Sequence, residues 1–180
     1  MIDETRIIAQ LRGKSQKEKA FNTLVHEYQE ILYWQIRRLV ISHDDADDVL
    51  QNTFLKAWLA IDEFRAESKI SSWLFRIAIN ESLGFLEKKK KNSNFTGDII
   101  EELSSQLTSD PYFDGDETQI LLQKAIALLP EKQKVVFNLK YFQEMKYEDM
   151  SQTLGTSIGA LKASYHHAVK KITDFFQQND

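Results

Sequence analysis

A chain of 180 residues with 42% hydrophobic and 11% aromatic content can bury a real core, which excludes global disorder. Six Gly, two Pro and long segments rich in Leu, Ala, Lys, Glu and Gln favour an all-α fold, and the lack of cysteine excludes disulfides and thiolate metal sites. The net charge of −4 argues against a nucleic-acid partner only until it is divided. Residues 1–92 carry 15 cations and 14 carboxylates, residues 93–117 carry none and seven, and residues 118–180 carry eight and six. The acidity is confined to one segment between two nearly neutral bodies, each able to present a basic face.

In chain order, residues 4–11 suggest a short helix before Gly13. A second helix is expected over 17–41, with Phe21, Leu24, Val25, Tyr28, Ile31, Leu32, Leu39 and Val40 as candidate core positions. The N-terminus is polar and unlike a signal peptide. The most apolar run, Ile31–Ile41, is broken by Arg37 and Arg38 and is too short for a bilayer. The expectation is a cytoplasmic protein with no direct membrane insertion.

The stretch 44–64, DDADDVLQNTFLKAWLAIDEF, is the most informative. Ala46, Val49, Leu50, Thr53, Phe54, Ala57, Trp58 and Ile61 share one side of a helix and supply a core face. Ser42 is the expected N-cap, and four Asp side chains suit the positive end of the helix dipole. Asp48, Asn52, Leu55, Leu59 and Asp62 line the opposite stripe with Gln51 beside it. Two leucines facing away from a core point to a helix held between that core and a partner protein. A turn, FRAESKI, leads to a helix over 71–91 whose polar strip carries Arg76, Asn80, Leu83 and Glu87 and whose end is Lys88–Lys91. Phe64, Trp73 and Phe75, with polar side chains and that basic end, are what a single-strand-binding surface requires, because unstacked bases need faces to lie on and phosphates need cations. The plainer explanation of aromatics at helical spacing is core packing.

The helical pattern stops at Asn92, and the acidic segment 93–116 reads as a flexible linker. Asp116 is an expected N-cap, a helix runs to Leu129 before Pro130, and another covers 130–143 with Val135, Val136 and Leu139 inward. The end of the chain predicts two helices, 147–154 and one capped by Ser157, joined by a turn at Gly155-Thr156. The second turns Ile158, Leu161, Tyr165, Val169 and Ile172 inward. It presents Lys162, His166, His167, Lys170 and Lys171, with no carboxylate between Ser157 and Thr173. Small residues Gly159, Ala160, Ala163 and Ser164 near its start let such a helix sit deep in a major groove, so a helix-turn-helix is favoured over an ordinary helical hairpin. The expected architecture is two small helical domains, 1–92 and 117–180, the second a helix-turn-helix.

No catalytic motif appears: there is no Gly-rich phosphate loop, nucleophile elbow or paired acid and base. An enzyme is not expected, nor a cofactor. The acidic run is not read as a metal site, since its residues crowd one helix start, and adjacent His166 and His167 diverge on a helix.

DDADDVLQNTFLKAWLAIDEFR, SSWLFRIAIN, LPEKQKVVFNLKYF and the final helix-turn-helix occur in the order and spacing found in extracytoplasmic-function sigma factors of bacterial RNA polymerase, which this chain resembles outside the linker. The resemblance implies a non-enzymatic initiation factor. Its first domain binds the clamp helices of the polymerase β′ subunit and opens the −10 element; its second binds the β flap and reads the −35 element. An anti-sigma factor is the implied inhibitor, and promoter DNA is met both double- and single-stranded. On this resemblance Asp48, Gln51 and Asn52 join Leu55 and Leu59 as polymerase contacts, with Asn52 standing where the family commonly has Glu. Lys56, Ala60, Phe64, Arg65, Ser68 in the following turn and Asn80 fall where an extruded base is captured, with Trp73, Arg76 and Lys88 completing the −10 surface. Ser157, Gly159, Ala160, Lys162, Ala163, Ser164, His166, His167 and Lys170 form the −35 surface. Ala163 and Ser164 stand for the family's Ser and Arg and His167 for another Arg, which removes bidentate contacts. Lys146 replaces the usual Ser or Thr cap. In the family the linker threads polymerase near the RNA path, so the acidic segment is expected to imitate nucleic acid there; the plainer reading is that an acidic linker is simply soluble. The alternative from another class is a stand-alone dimeric helix-turn-helix regulator, which explains the last 60 residues but leaves Leu55 and Leu59 without a purpose. A pure interaction protein without DNA binding is a third possibility, raised by the missing arginines.

Overall fold

The computed structural model describes residues 4–13, 15–92 and 116–179, and every regular element among them is helical. Helix α1 spans Glu4–Arg12 and α2 Lys17–Val40. Helix α3 spans His43–Ala60 and tightens into a 3₁₀ turn, Ile61–Glu63, before α4 at Ile70–Asn92. The second domain holds α5 (Glu117–Ala127), α6 (Glu131–Tyr141), α7 (Tyr147–Leu154) and α8 (Ile158–Gln178). Apart from Asp116, the expected acidic linker lies outside the described residues.

The helix starts follow local chemistry. Ser42 Oγ accepts from Asp45 N–H at 3.5 Å, Asp116 Oδ1 from Gln119 N–H at 2.9 Å, and Ser157 Oγ from Ala160 N–H at 3.3 Å. Each satisfies a backbone donor that the first helical turn leaves orphaned. Helix α4 begins instead against a carboxylate from another helix. Ile70 N–H donates to Glu4 Oε2 at 3.3 Å and Ser71 Oγ to Glu4 Oε1 at 3.4 Å, while Tyr28 Oη donates to the same oxygen at 3.3 Å.

In the first domain α2, α3 and α4 pack on one another and α1 lies on α2. Ala46, Val49, Thr53, Ala57 and Ile61 are buried and Leu50, Phe54 and Trp58 pack against them, as the apolar stripe of α3 requires. Two expectations need correction. Ile31 is 41% exposed, because the buried line of α2 runs through Phe21, Leu24, Tyr28, Leu32, Ile36 and Leu39 and leaves Ile31 on its flank. Phe75 belongs to the core and not to a base-stacking surface, being only 7% exposed.

In the second domain α5, α6 and α7 pack on α8. Phe137 stacks on Tyr165 at 5.9 Å between ring centroids, above a cluster of Ala125, Ile126, Leu129, Ala168 and Ile172. Val169, expected inside, is exposed. The inward line Leu161–Tyr165–Ala168–Ile172 keeps the 3.6-residue period, which carries position 169 past the seam.

The domains touch: α6 meets α2, α7 meets α4, and Val135, Val136, Leu139, Met150 and Leu161 join the buried cluster of the first domain. Polar groups are trapped in these helices. Both side-chain polar atoms of Gln35 and of Asn138, and Nη1 of Arg38, are buried without a hydrogen-bond partner among the described residues. Such groups typically cost about 1–3 kcal/mol each.

Candidate nucleic-acid interface

Three surfaces collect the expected site residues. The first is the outer face of α3. Leu55 and Leu59 are 56% and 71% exposed, and Asp48, Gln51 and Asn52 are exposed around them. The opposite side of the same helix is core, so this face is rigid and open to solvent. At its lower end Lys17 Nζ lies 2.6 Å from Asp62 Oδ2 and 4.9 Å from the Trp58 ring centroid, which ties α2 to the end of α3.

The second surface runs from the end of α3 across the loop to α4. Phe64 and Trp73 are half-buried with ring centroids 5.1 Å apart, and Ala60 and Ser68 are also half-buried. Arg65, Asn80 and Lys88 are exposed. The loop turns at Ala66, whose φ of 58° is in the left-handed region that non-glycine residues seldom adopt. Lys56 reaches across to Glu81 Oε1 at 2.5 Å, an ion pair that sequence reasoning missed because nothing in either helix marks a partner 25 residues away. The same holds for Glu4, whose hold on the start of α4 depends on contacts 66 and 67 residues apart. Burial first, and the Glu4 carboxylate second, push the Tyr28 hydroxyl up to about 12, so it stays protonated and donates to Glu4.

Arg76 is exposed, but its guanidinium is engaged. Its Nε donates to the Thr153 carbonyl oxygen at 2.7 Å and its Nη2 donates to the Gln152 carbonyl oxygen, both at the end of α7. Lys88 belongs to the basic end of α4, where the neighbouring Lys89 Nζ pairs with Asp45 Oδ2 at 2.7 Å and binds that end to the acidic start of α3. The acidic run therefore serves as helix start and ion-pair partner. Among the described residues no group of three or more His, Cys, Asp or Glu could hold a metal ion, and no helix is long and apolar enough to cross a membrane.

The third surface is the helix-turn-helix. Gly155 ends α7 with φ 63° and its N–H donates to the Ser151 carbonyl at 2.9 Å, a left-handed cap that glycine adopts without strain. Lys146 at the start of α7 offers no side-chain hydrogen bond, as the missing hydroxyl predicts. Along α8, Ser157, Gly159, Ala160, Lys162, Ala163, His166, His167 and Lys170 are exposed and Ser164 is half-buried. Lys162 Nζ sits 5.7 Å from the Tyr147 ring centroid, and the imidazoles of His166 and His167 meet edge-on at 5.8 Å rather than converging on an ion. The structure brings the α3 and α4 residues into neighbouring faces of one domain and gathers the α8 residues on the other.

Residues 24–92 match the family model of sigma-70 region 2, and residues 119–172 match that of sigma-70 region 4. The ECF RNA polymerase sigma factor SigW of Bacillus subtilis is 29% identical over 162 residues, spanning 85% of this chain and 87% of that protein. The ECF RNA polymerase sigma-E factor of Haemophilus influenzae is 28% identical over 169 residues and 89% of each. Among solved structures, CnrH in complex with the cytosolic domain of CnrY superposes with a TM-score of 0.73 at 23% identity, over 98% of this chain and 99% of that one. The sigma factor RpoE of Bartonella quintana, in complex with the anti-sigma factor NepR, gives 0.71 at 23% identity, over 88% and 98%. Likeness at that identity speaks for the fold, which is all-helical in each domain. With both sigma-70 regions in order on one polypeptide and ECF sigma factors aligned along most of its length, this chain belongs to the ECF class of bacterial RNA polymerase sigma factors.

Proposed function

We propose that the chain binds core RNA polymerase through the outer face of α3 and directs initiation at promoters that its two domains select. The observation that carries this reading is the exposed Leu55 and Leu59 on a helix whose other side is core, within the region 2 match. Asp48, Gln51 and Asn52 frame that apolar pair for the β′ clamp helices. Residues 1–92 form the domain that melts the −10 element. Lys56, Ala60, Phe64, Arg65, Ser68, Trp73, Arg76, Asn80 and Lys88 take the extruded non-template base and its flanking phosphates, and the tilted Phe64–Trp73 pair supplies a stacking platform. Residues 117–180 bind the β flap and read the −35 element. The loss of two arginines from α8 shifts that reading from bidentate contacts to guanine toward lysine contacts with phosphate and toward DNA shape. Residues 93–116 join the two domains. No catalytic step is assigned to the chain, and its working compartment is the cytoplasm with the polymerase. An anti-sigma factor is the proposed inhibitor, supported by a structural neighbour solved with the anti-sigma factor NepR.

Reconstitution tests this directly. Purified chain added to core polymerase is expected to form a complex that initiates at a specific promoter recovered by selection from random DNA. Failure to bind core defeats the reading, and binding without initiation anywhere reduces the chain to an interaction protein. A stand-alone dimeric regulator would bind DNA without polymerase.

A further inference from the structure

The two rings proposed to receive the extruded base come from opposite ends of one loop. Phe64 follows the 3₁₀ turn Ile61–Glu63, and Trp73 sits in the first turn of α4. Between them Arg65, Ala66, Glu67 and Lys69 are exposed, and Ala66 holds its left-handed turn. Such a loop buries little that would hold it from within, so the geometry of the ring pair depends on what fixes its two ends.

Each end is held by a residue from earlier in the chain. At the 3₁₀ end Ile61 is buried, and Lys17 Nζ pairs with Asp62 Oδ2 at 2.6 Å. At the α4 end the hold is Glu4. Its Oε2 accepts from the Ile70 N–H at 3.3 Å and its Oε1 from Ser71 Oγ at 3.4 Å. The first turn of α4 presents orphan amide donors and the positive end of the helix dipole, both of which favour a carboxylate. The carboxylate is itself oriented: Tyr28, buried on α2, donates to Oε1 at 3.3 Å, and the buried Ile7 and Leu11 anchor α1. A line of contacts thus runs from the core through Tyr28 and Glu4 to the Ile70 amide, one turn before Trp73, whose ring centroid stands 5.1 Å from that of Phe64. Glu4 lies outside the region 2 match, which begins at residue 24.

We infer that Glu4 is a positioning residue for promoter opening: from α1, without touching DNA, it fixes the first turn of α4 so that the Phe64–Trp73 platform is formed before a base leaves the stack. A preformed platform spares the incoming base the cost of ordering the loop. This role rests on the function proposed above. Glu4→Ala leaves the buried Ile70 amide without its acceptor and frees that end of the loop. Glu4→Gln keeps an oxygen for the amide but loses the charge that strengthens the bond.

Hydrogen exchange on the full chain, free of polymerase, reads the positioning by itself. Glu4→Ala is expected to speed exchange of the amides of residues 65–71 roughly tenfold, with those of α3 unchanged; unchanged exchange at 65–71 overturns the inference. The consequence is read on holoenzyme with a single-stranded −10 non-template oligonucleotide from the selected promoter. The strand is either intact or abasic at the captured position, the one where base removal costs wild type most. Glu4→Ala is expected to weaken binding of the intact strand about tenfold and Glu4→Gln about threefold. Wild type and both variants are expected to bind the abasic strand equally and core polymerase equally. A helix cap that serves stability alone weakens both strands alike, and that outcome overturns the inference, as does full binding of the intact strand by Glu4→Ala. If Glu4→Ala fails to fold, Glu4→Gln carries the same comparison. A base effect present in wild type and independent of Glu4 overturns this inference alone. If base removal costs wild type nothing at any position, the base capture proposed above fails and takes this inference with it.

Discussion

Leu55 is the residue on which the functional reading turns. More than half exposed on a helix whose opposite side is core, it makes no contribution to the fold that a polar replacement removes. Leu55→Asp is expected to leave stability within about 0.5 kcal/mol, as for other surface positions, and to weaken binding to core at least roughly tenfold, as for an interface anchor. Thermal melting beside a core-binding titration checks both, and an unfolded variant shows the stripe to be core after all. Gln35 behaves in the opposite sense. It is fully buried with no partner for its amide, so a side chain of similar volume without the polar atoms relieves a desolvation cost. Gln35→Met is expected to raise unfolding stability by about 1 kcal/mol, visible as a higher denaturant midpoint with an unchanged slope. A lower midpoint means that the amide is satisfied.

At the scale of the element, the helix-turn-helix contains one strong stop signal and one weak start. Gly155 holds φ 63°, and nothing lies within 4 Å of where a Cβ would stand, so the cost of adding one is conformational and not steric. Gly155→Ala is expected to destabilise the domain by about 1 kcal/mol. Lys146→Ser supplies the hydroxyl that the first turn of α7 lacks and is expected to add about 1 kcal/mol. Chemical denaturation of the full chain measures both, and equal midpoints for the two variants contradict this account. These features were legible in the sequence because caps and turns are local: Ser42, Asp116 and Ser157 each act on a backbone donor three residues away. The exposed Leu55 and Leu59 were legible for the same reason, since a helix converts spacing directly into faces. Ile31 and Val169 were misplaced because each lies at the edge of an apolar stripe, where the angle of the neighbouring helix decides what is covered.

At the scale of the whole molecule, the proposed function assigns assembly with polymerase and opening of DNA to different helices of the first domain. Asn80 is exposed on α4, whereas the outward leucines lie on α3. Asn80→Ala is expected to lower open-complex formation about tenfold, the loss of a base-edge contact, with affinity for core unchanged; permanganate footprinting and a core-binding titration separate the two. The sequence by itself determined the all-helical class, the two bodies on either side of an acidic segment, the capped starts of α3, α5 and α8 and the exposed residues along α8, because each depends on composition or on neighbours within one helical turn. Only the tertiary structure decided that Glu4 caps α4, that Glu81 holds Lys56 and that the end of α7 takes Arg76. Those pairs are separated by 66, 25 and 77 residues, and no periodicity couples positions so far apart: they form only when packed cores bring their helices together.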